Sequence, residues 1–464
     1  GGGGARGAAH VGVLKVLEEQ NIAVDYIVGT SMGSIVGALY ASGYRADEIE
    51  TILNEIDWSL ALRDHADRDQ ESPQRKADAA LVPSSIEIGI GRDGLEIPQG
   101  LLQGQNLGLL LHELMGGFQA QSFDELPIPF RAVAADLVTG EKVVLSAGNL
   151  AQSVRASMSV PGAFQPVNLD GRILVDGGIV DNVPVDVARE MGATRLIVVD
   201  VGAGLMPEES LQTPAGVTMQ VIGILMDRQT KQTLELIHPS DVIIRPELGD
   251  IGSASFDRAI DAVPLGEQAA REQIEQLLPL RSGPEKWARF EQRGQPDRKV
   301  RQITELIVEE DYSRTAFLVQ NRLQDLVGQS AEPATLRTRI TEVYGEGRYQ
   351  SINYDLRPLD DRSTALIVTP VDKSWGPNFL RLGLRISDDF DGNSAYQIDA
   401  LARFASDVQP GSEWRLRLGL GQISELAAGW RVPVGKRGRG YLSPEIGVRA
   451  VNQPVFTEDE DRET

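Results

Sequence analysis

The sequence predicts three units in series. Residues 1–300 read as an α/β domain with a mainly parallel sheet and helices on both faces, and 301–375 as a small α+β domain. Residues 376–464 read as the start of an antiparallel β-structure. Three observations carry this. Short β-branched runs such as Tyr26-Ile27-Val28 and Arg195 to Val201 alternate with helix-patterned segments through the first unit. Between 301 and 375 the order is strand, helix, helix, strand, strand. From Phe379 onward apolar residues recur at every second position. A chain of 464 residues also exceeds one ordinary domain.

Composition excludes several chemistries. A formal net charge of −22 gives no basic face for nucleic acid and disfavours electrostatic docking on anionic lipid. Any membrane contact has to come from apolar surface. With no cysteine, disulfides, thiolate catalysis and thiolate-held metals are out. The four histidines (His10, His65, His112 and His238) show no metal-ligand spacing, so neither metal nor cofactor is expected. No apolar run reaches the ~18 residues of a membrane-spanning helix, whereas a transmembrane barrel gives a weaker signal and stays open. The chain opens on four glycines with no initiator Met and reads as a fragment whose first strand lies upstream.

Gly1 to Gly7 (G-G-G-G-A-R-G) precede an amphipathic helix, Ala8 to Glu19. A glycine run opening a helix leaves N–H groups bare toward an anion. Gly2, Gly4 and Gly7 also fit a phosphate-cradle spacing, but no acidic residue follows at the distance dinucleotide binding needs, and a Walker lysine is absent. The other reading is an oxyanion hole, and a cut flexible end is the bland one. Tyr26 to Val28 then lead into Gly29-Thr30-Ser31-Met32-Gly33, and Ile35 to Tyr40 continue as a helix. A G-x-S-x-G turn between strand and helix presents the serine hydroxyl at the helix N-terminus; the bland alternative makes Ser31 a helix cap.

Residues 45–125 are less regular. Arg63 to Lys76 reads as an exposed loop, Ile86 to Ile97 as a hairpin around Arg92-Asp93-Gly94, and Leu101 to Leu114 as a helix on which His112 is structural. This region is expected to be a lid or substrate wall. Phe130 to Asp136 and Glu141 to Leu145 read as strands joined by a turn at Thr139-Gly140. A short helix at Val154 to Phe164 stops at Pro161. The run Arg172 to Val175 leads into Asp176-Gly177-Gly178, which places a carboxylate at a strand end, either for chemistry or for an Asx-turn. A helix follows Pro184, and Val242 to Ile244 is a further strand.

G-G-G-A-R-G at Gly2 to Gly7, G-T-S-M-G at Gly29 to Gly33 and D-G-G at Asp176 to Gly178 together resemble the patatin-like phospholipase family. The block from Ala156 to Val167 is also similar to it. The resemblance implies a Ser–Asp dyad without histidine. Ser31 would be the nucleophile and Asp176 the general base and acid, with Gly2, Gly3, Gly4 and Arg6 forming the oxyanion hole. Gly7, Gly29, Gly33, Gly177 and Gly178 would support the motifs. A Ser–Asp–His triad through His238 is the rival arrangement.

The strand-helix-helix-strand-strand order of 301–375, with Gly345 to Tyr349 and Lys373 to Pro377, resembles a POTRA module. In the third unit Leu380, Leu382, Leu384 and Ile386 face one way with Arg381 and Arg385 opposite. Ile398 to Phe404 and Trp414 to Leu420 repeat the pattern, which is that of a transmembrane barrel or of a soluble sheet packed on one face. About five strands fit, so the barrel is read as truncated, with Thr457 to Thr464 a solvated loop at its mouth. The whole resembles two-in-one autotransporters. It implies a phospholipase A-type hydrolase of phospholipid or other acyl-ester lipid, carried by the bacterial outer membrane. Oligomeric state stays open, a homo-oligomer included. The alternatives are a translocation or assembly factor with a catalytically idle N-terminal domain, and a soluble general carboxylesterase.

Overall fold

Short apolar strands ended by tight turns set the layers of the first unit. The computed structural model describes residues 1–451 except 65–67, 69, 83–86, 92, 93, 99, 101, 117, 118, 203, 295–299, 311, 312, 389–393, 407, 410 and 436–439. The turn residues Arg92 and Asp93, Leu101, and the 457–464 loop therefore lie outside the described residues. The elbow strand Ile27–Thr30 pairs in parallel with Phe130–Asp136. That strand also pairs with Lys142–Leu145 and with Arg172–Asp176, and the sheet ends on Val167–Leu169. A separate parallel pair joins Ile197–Val199 to Val242–Ile244.

The expectation of a mainly parallel sheet is corrected: the sheet is mixed. Among the described strands of this unit, parallel pairing is confined to Ile27–Thr30 with Phe130–Asp136 and to the separate pair. The physical reason is the length of the connections. Asp170 and Gly171, at φ 51° and 74°, turn the chain straight back between Val167–Leu169 and Arg172–Asp176. Gly140 at φ 73° does the same before Lys142–Leu145. A link this short joins only antiparallel neighbours.

The elbow helix Met32–Ala41 is buried along its whole length and packs on the strand that precedes it. Helix Ala9–Glu19 lies against Ala262–Glu272 at a close crossing. A Cβ on Gly12 would fall 2.0 Å from the Val263 carbonyl oxygen, and one on Gly266 would fall 2.0 Å from that of Ala9. The two glycines let the helix backbones touch.

The second unit follows the element order read from its sequence. Strand Gln302–Val308 is followed by helices Ala316–Leu323 and Pro333–Tyr344, then strands Tyr349–Pro358 and Ser363–Asp372. The last strand lies in the centre, parallel to the first and antiparallel to the second. Ile303, Val319, Leu336, Ile340, Ile352 and Leu366 form its buried core.

Beyond Phe379 the strands Phe379–Asp388, Ser394–Ala405, Glu413–Gly421, Ile423–Val434 and Glu445–Val451 form an antiparallel meander. The sheet does not close among the described residues. Leu384, Ile386, Trp414, Leu418, Ile446 and Val448 are exposed on one face, while Arg381, Arg403, Arg415 and Arg431 are buried on the other. Among the described residues no helix is long and apolar enough to cross a membrane.

Arg431 pairs with Glu413 within the meander, whereas the acids facing Arg403 and Arg415 come from the first unit. Helix Pro73–Leu81 and the hairpin Glu87–Ile90/Leu95–Glu96 reach across the chain, and the hairpin adds to the edge of Phe379–Asp388. Asp78 pairs with Arg415, and Glu87 pairs with Arg403 and, at 2.5 Å, with Lys373. This corrects the reading of the segment as a lid or substrate wall. Its buried acids require cationic partners, and those are Arg75 of the same segment, Lys373 and the arginines on the strands beyond it.

Gly266→Val should therefore drive the two helices apart and cost on the order of 1–3 kcal/mol by overpacking. Urea denaturation followed by tryptophan fluorescence measures it, and the midpoint is expected to fall with little change in slope.

Candidate active site

Ser31 stands at a backbone angle that an L-residue resists. Its φ is 54° and its ψ −127°, between the end of Ile27–Thr30 and the start of Met32–Ala41. Such a residue costs of order 1–3 kcal/mol unless its surroundings hold it there. Here the Ser31 N–H donates to Ser157 Oγ at 3.0 Å, and Ser157 Oγ donates to the Val133 carbonyl at 2.6 Å. Ser34 Oγ donates to the Ser31 carbonyl at 2.6 Å. Glycines on both sides let the turn close: a Cβ on Gly29 would sit 2.4 Å from the Gly33 carbonyl oxygen. The Ser31 hydroxyl makes no capping bond to its helix. It lies close enough to the Asp176 carboxyl to favour that group's ionised form.

Asp176 reaches this position from the end of strand Arg172–Asp176, whose neighbour Phe130–Asp136 also flanks the elbow strand. Its N–H donates to the Ser159 carbonyl at 2.9 Å, and its Oδ1 accepts from the Gly178 N–H at 2.8 Å. The Asx-turn reading is thus right for one oxygen and leaves room for Ser31 as well. Gly177 lies flat against the sheet, with a hypothetical Cβ 2.2 Å from the Val133 carbonyl oxygen. The carboxyl is 4% exposed. Burial pushes its pKa from 3.8 up to about 6, against the opposing pull of the Gly178 and Ser31 hydrogen bonds. A carboxyl so placed takes up and returns a proton near neutral pH.

The glycine-rich turn sits over the serine. A Cβ on Gly2 would fall 3.0 Å from Ser31 Cβ. Gly4 has φ 57°, and a side chain there would strike the Ser253 carbonyl oxygen at 2.1 Å. Gly3 packs on Val201 and Gly7 on the Met32 side chain. The expected oxyanion donors do not all stand alike. The Gly2 N–H is given to the Asn182 carbonyl at 3.2 Å, whereas among the described residues the N–H groups of Gly3 and Gly4 meet no acceptor.

Arg6 has a bracing role that the sequence did not announce. Its guanidinium donates to the carbonyls of Val201 at 3.0 Å, Ile251 at 2.8 Å and Gly202 at 3.2 Å. Three of its five N–H groups are engaged in this way, and Arg6 braces two loops behind the turn. His238 is exposed and hydrogen-bonds Ser240 of its own turn at 2.8 Å, away from Asp176. His112 is buried: its Nδ1 donates to the Gly108 carbonyl at 2.9 Å, its Nε2 accepts from Asn149 Nδ2 at 3.1 Å, and its ring packs at a tilt on Tyr354, as a structural residue does.

Three residues of the site escaped the sequence reading. Ser157 lay inside a block read only as similar to a family. Asn182 sits six residues after Asp176, buried, and its Nδ2 donates to the Gly2 carbonyl at 3.3 Å. Met226 approaches from helix Pro214–Glu235, its Cε 2.6 Å from where a Gly178 Cβ would be. That helix carries no formal charge from Pro214 to Met226 and leaves Val217, Val221, Ile224 and Leu225 exposed. The signal for it was this uncharged apolar run, which periodicity alone does not connect to a distant serine.

Residues 1–189 match the model of the family described as patatin-like phospholipase. The chain is 34% identical over 206 residues to the patatin-like phospholipase domain-containing protein 6 of Homo sapiens, a match covering 44% of this chain and 13% of that protein. It is 33% identical over 201 residues to an uncharacterized NTE family protein of Mycobacterium tuberculosis, covering 43% of this chain and 47% of that one. Neuropathy target esterase sws of Drosophila melanogaster is 32% identical over 206 residues, or 44% of this chain and 12% of that protein. The matched stretch is thus under half the length of each of these relatives.

The raised Asp176 pKa has a signed effect on stability. Between about pH 4 and 6 the folded chain holds this proton and the unfolded chain has lost it. The contribution is complete below pH 4 and is lost as pH rises through about 6, an amount on the order of 3 kcal/mol. Asp176→Asn removes it, so the variant's stability relative to the parent chain should climb between pH 4 and 7 in urea titrations at each pH.

Proposed function

With a patatin-like phospholipase domain at residues 1–189 as the premise, we propose that this chain is a phospholipase A-type acyl hydrolase working through Ser31 and Asp176. The strained Ser31 standing beside the buried Asp176, whose pKa its hydroxyl lowers, supports this reading. Asp176 takes the hydroxyl proton as Ser31 Oγ attacks the ester carbonyl, and returns it to the departing alcohol. The N–H groups of Gly3 and Gly4 receive the negative charge that develops on the carbonyl oxygen; losing one donor of this kind costs ~10²–10³ in rate. A lipid acyl group suits the uncharged surface of Pro214–Met226 beside the site.

The same proposal extends to the rest of the chain. The second unit serves as a POTRA-like module, supported by its element order and its central last strand. The meander serves as part of an outer-membrane barrel, its exposed apolar face toward lipid and its buried arginines inward. The hydrolase is thereby carried at the bacterial outer membrane.

Ser31→Ala and Asp176→Asn should each lower hydrolysis of a fluorogenic acyl ester by at least ~10³. His238→Ala should leave it within about twofold, and a collapse there would restore the triad. Because the base must be ionised, kcat/KM should fall below a midpoint near pH 6. Parent and Ser31→Ala chains equally inactive on esters and phospholipids would favour a translocation role with an idle head.

A further inference from the structure

Asn182 holds the glycine-rich turn at both backbone atoms of one residue. Its carbonyl accepts from the Gly2 N–H at 3.2 Å, and its Nδ2 donates to the Gly2 carbonyl at 3.3 Å. The second contact settles which way the amide faces, because turning it over would set oxygen against oxygen. Asn182 Oδ1 is then left buried and, among the described residues, without any partner. The residue is 3% exposed. An orphaned buried acceptor forfeits about 1–3 kcal/mol, so something in the working cycle has reason to satisfy it.

Its surroundings say what that donor is. Asn182 Oδ1 lies 2.6 Å from the point where a Gly2 Cβ would stand, and the same point is 3.0 Å from Ser31 Cβ. It lies 3.0 Å from the corresponding point on Gly178, which is also 3.0 Å from Asp176 Oδ1. One face of the site therefore carries two acceptor oxygens, Asp176 Oδ1 and Asn182 Oδ1, beside the serine. The first half-reaction brings one proton, from Ser31, and Asp176 takes it. Only the second brings a molecule with two O–H donors, the hydrolytic water.

Resting on the hydrolase reading above, we propose that Asn182 is the residue that orients water for release of the acyl group from Ser31. The water oxygen bonds to the acyl carbon while one of its protons passes to the Asp176 carboxylate. Its other O–H donates to Asn182 Oδ1 and fixes the direction of attack. As the tetrahedral centre collapses, the bond from acyl carbon to Ser31 Oγ breaks. The oxygen of Ser31 recovers the proton from Asp176, and the carboxylic acid leaves. Attack by Ser31 on a new ester uses no such contact.

Stopped-flow release of p-nitrophenolate from a short-chain p-nitrophenyl ester by the full chain separates the two halves. Asn182→Ala should give a first turnover within about threefold of the parent, as a burst matching the enzyme concentration, and then a steady rate at least tenfold slower. Added methanol should not restore the parent rate of free-acid formation. Asn182→Gln keeps both the donor and the acceptor of the amide and should show a smaller burst than Asn182→Ala. If burst and steady rate fell together in Asn182→Ala, with no acyl-enzyme detected by mass spectrometry, Asn182 would be only a brace for Gly2 and the proposal would be overturned. Should Asn182→Ala not fold, burst and steady rate falling together in Asn182→Gln would overturn it equally. Failure of the underlying reading looks different: the parent chain itself would release no more p-nitrophenolate than Ser31→Ala.

Discussion

The backbone of Ser31 is the constraint on which the site depends. Positive φ at a residue with a side chain is uphill, and the elbow persists because its polar groups are held from both sides of the turn. Ser157 is central to this. One hydroxyl accepts from the Ser31 amide and donates to the Val133 carbonyl, tying the elbow to the neighbouring strand. That strand is also the one along which Asp176 is registered. Serine and carboxylate therefore hang from a common reference, Phe130–Asp136, and their meeting follows from strand pairing rather than from a mobile loop.

Much of this was legible in the residues. Gly29 and Gly33 around Ser31 announced a turn too tight for side chains, and the two glycines after Asp176 marked a carboxylate presented at a strand end. The elements of the second unit and the alternation after Phe379 were visible as periodicity. The mixed sheet was less so, because alternation of strands and helices shows order along the chain but not the direction of pairing. The true cue was local: Asp170-Gly171 leaves no room for a crossover.

Arg6 and the segment Pro73–Glu96 show a second limit. A cation next to a glycine-rich turn suggests anion binding, yet the carbonyls that claim Arg6 come from Val201, Gly202 and Ile251, far along the chain. Asp78 and Glu87 gave no sign of partners more than three hundred residues away. Pairings of that separation have no local pattern to betray them. Asn182 is the converse case, a residue whose meaning lies in an unfilled hydrogen bond that only packed coordinates display.

The long reach of Asp78 and Glu87 also bears on how such a chain is assembled. A ribosome makes these acids early and the arginines that neutralise them later, so the finished ion pairs cannot guide the N-terminal unit into shape. Until Arg403 and Arg415 emerge, the helix and hairpin that bear the acids lack two of their ion-pair partners. Completion of the meander is thus what locks that arm in place, and the N-terminal half has to stand on its own core in the meantime.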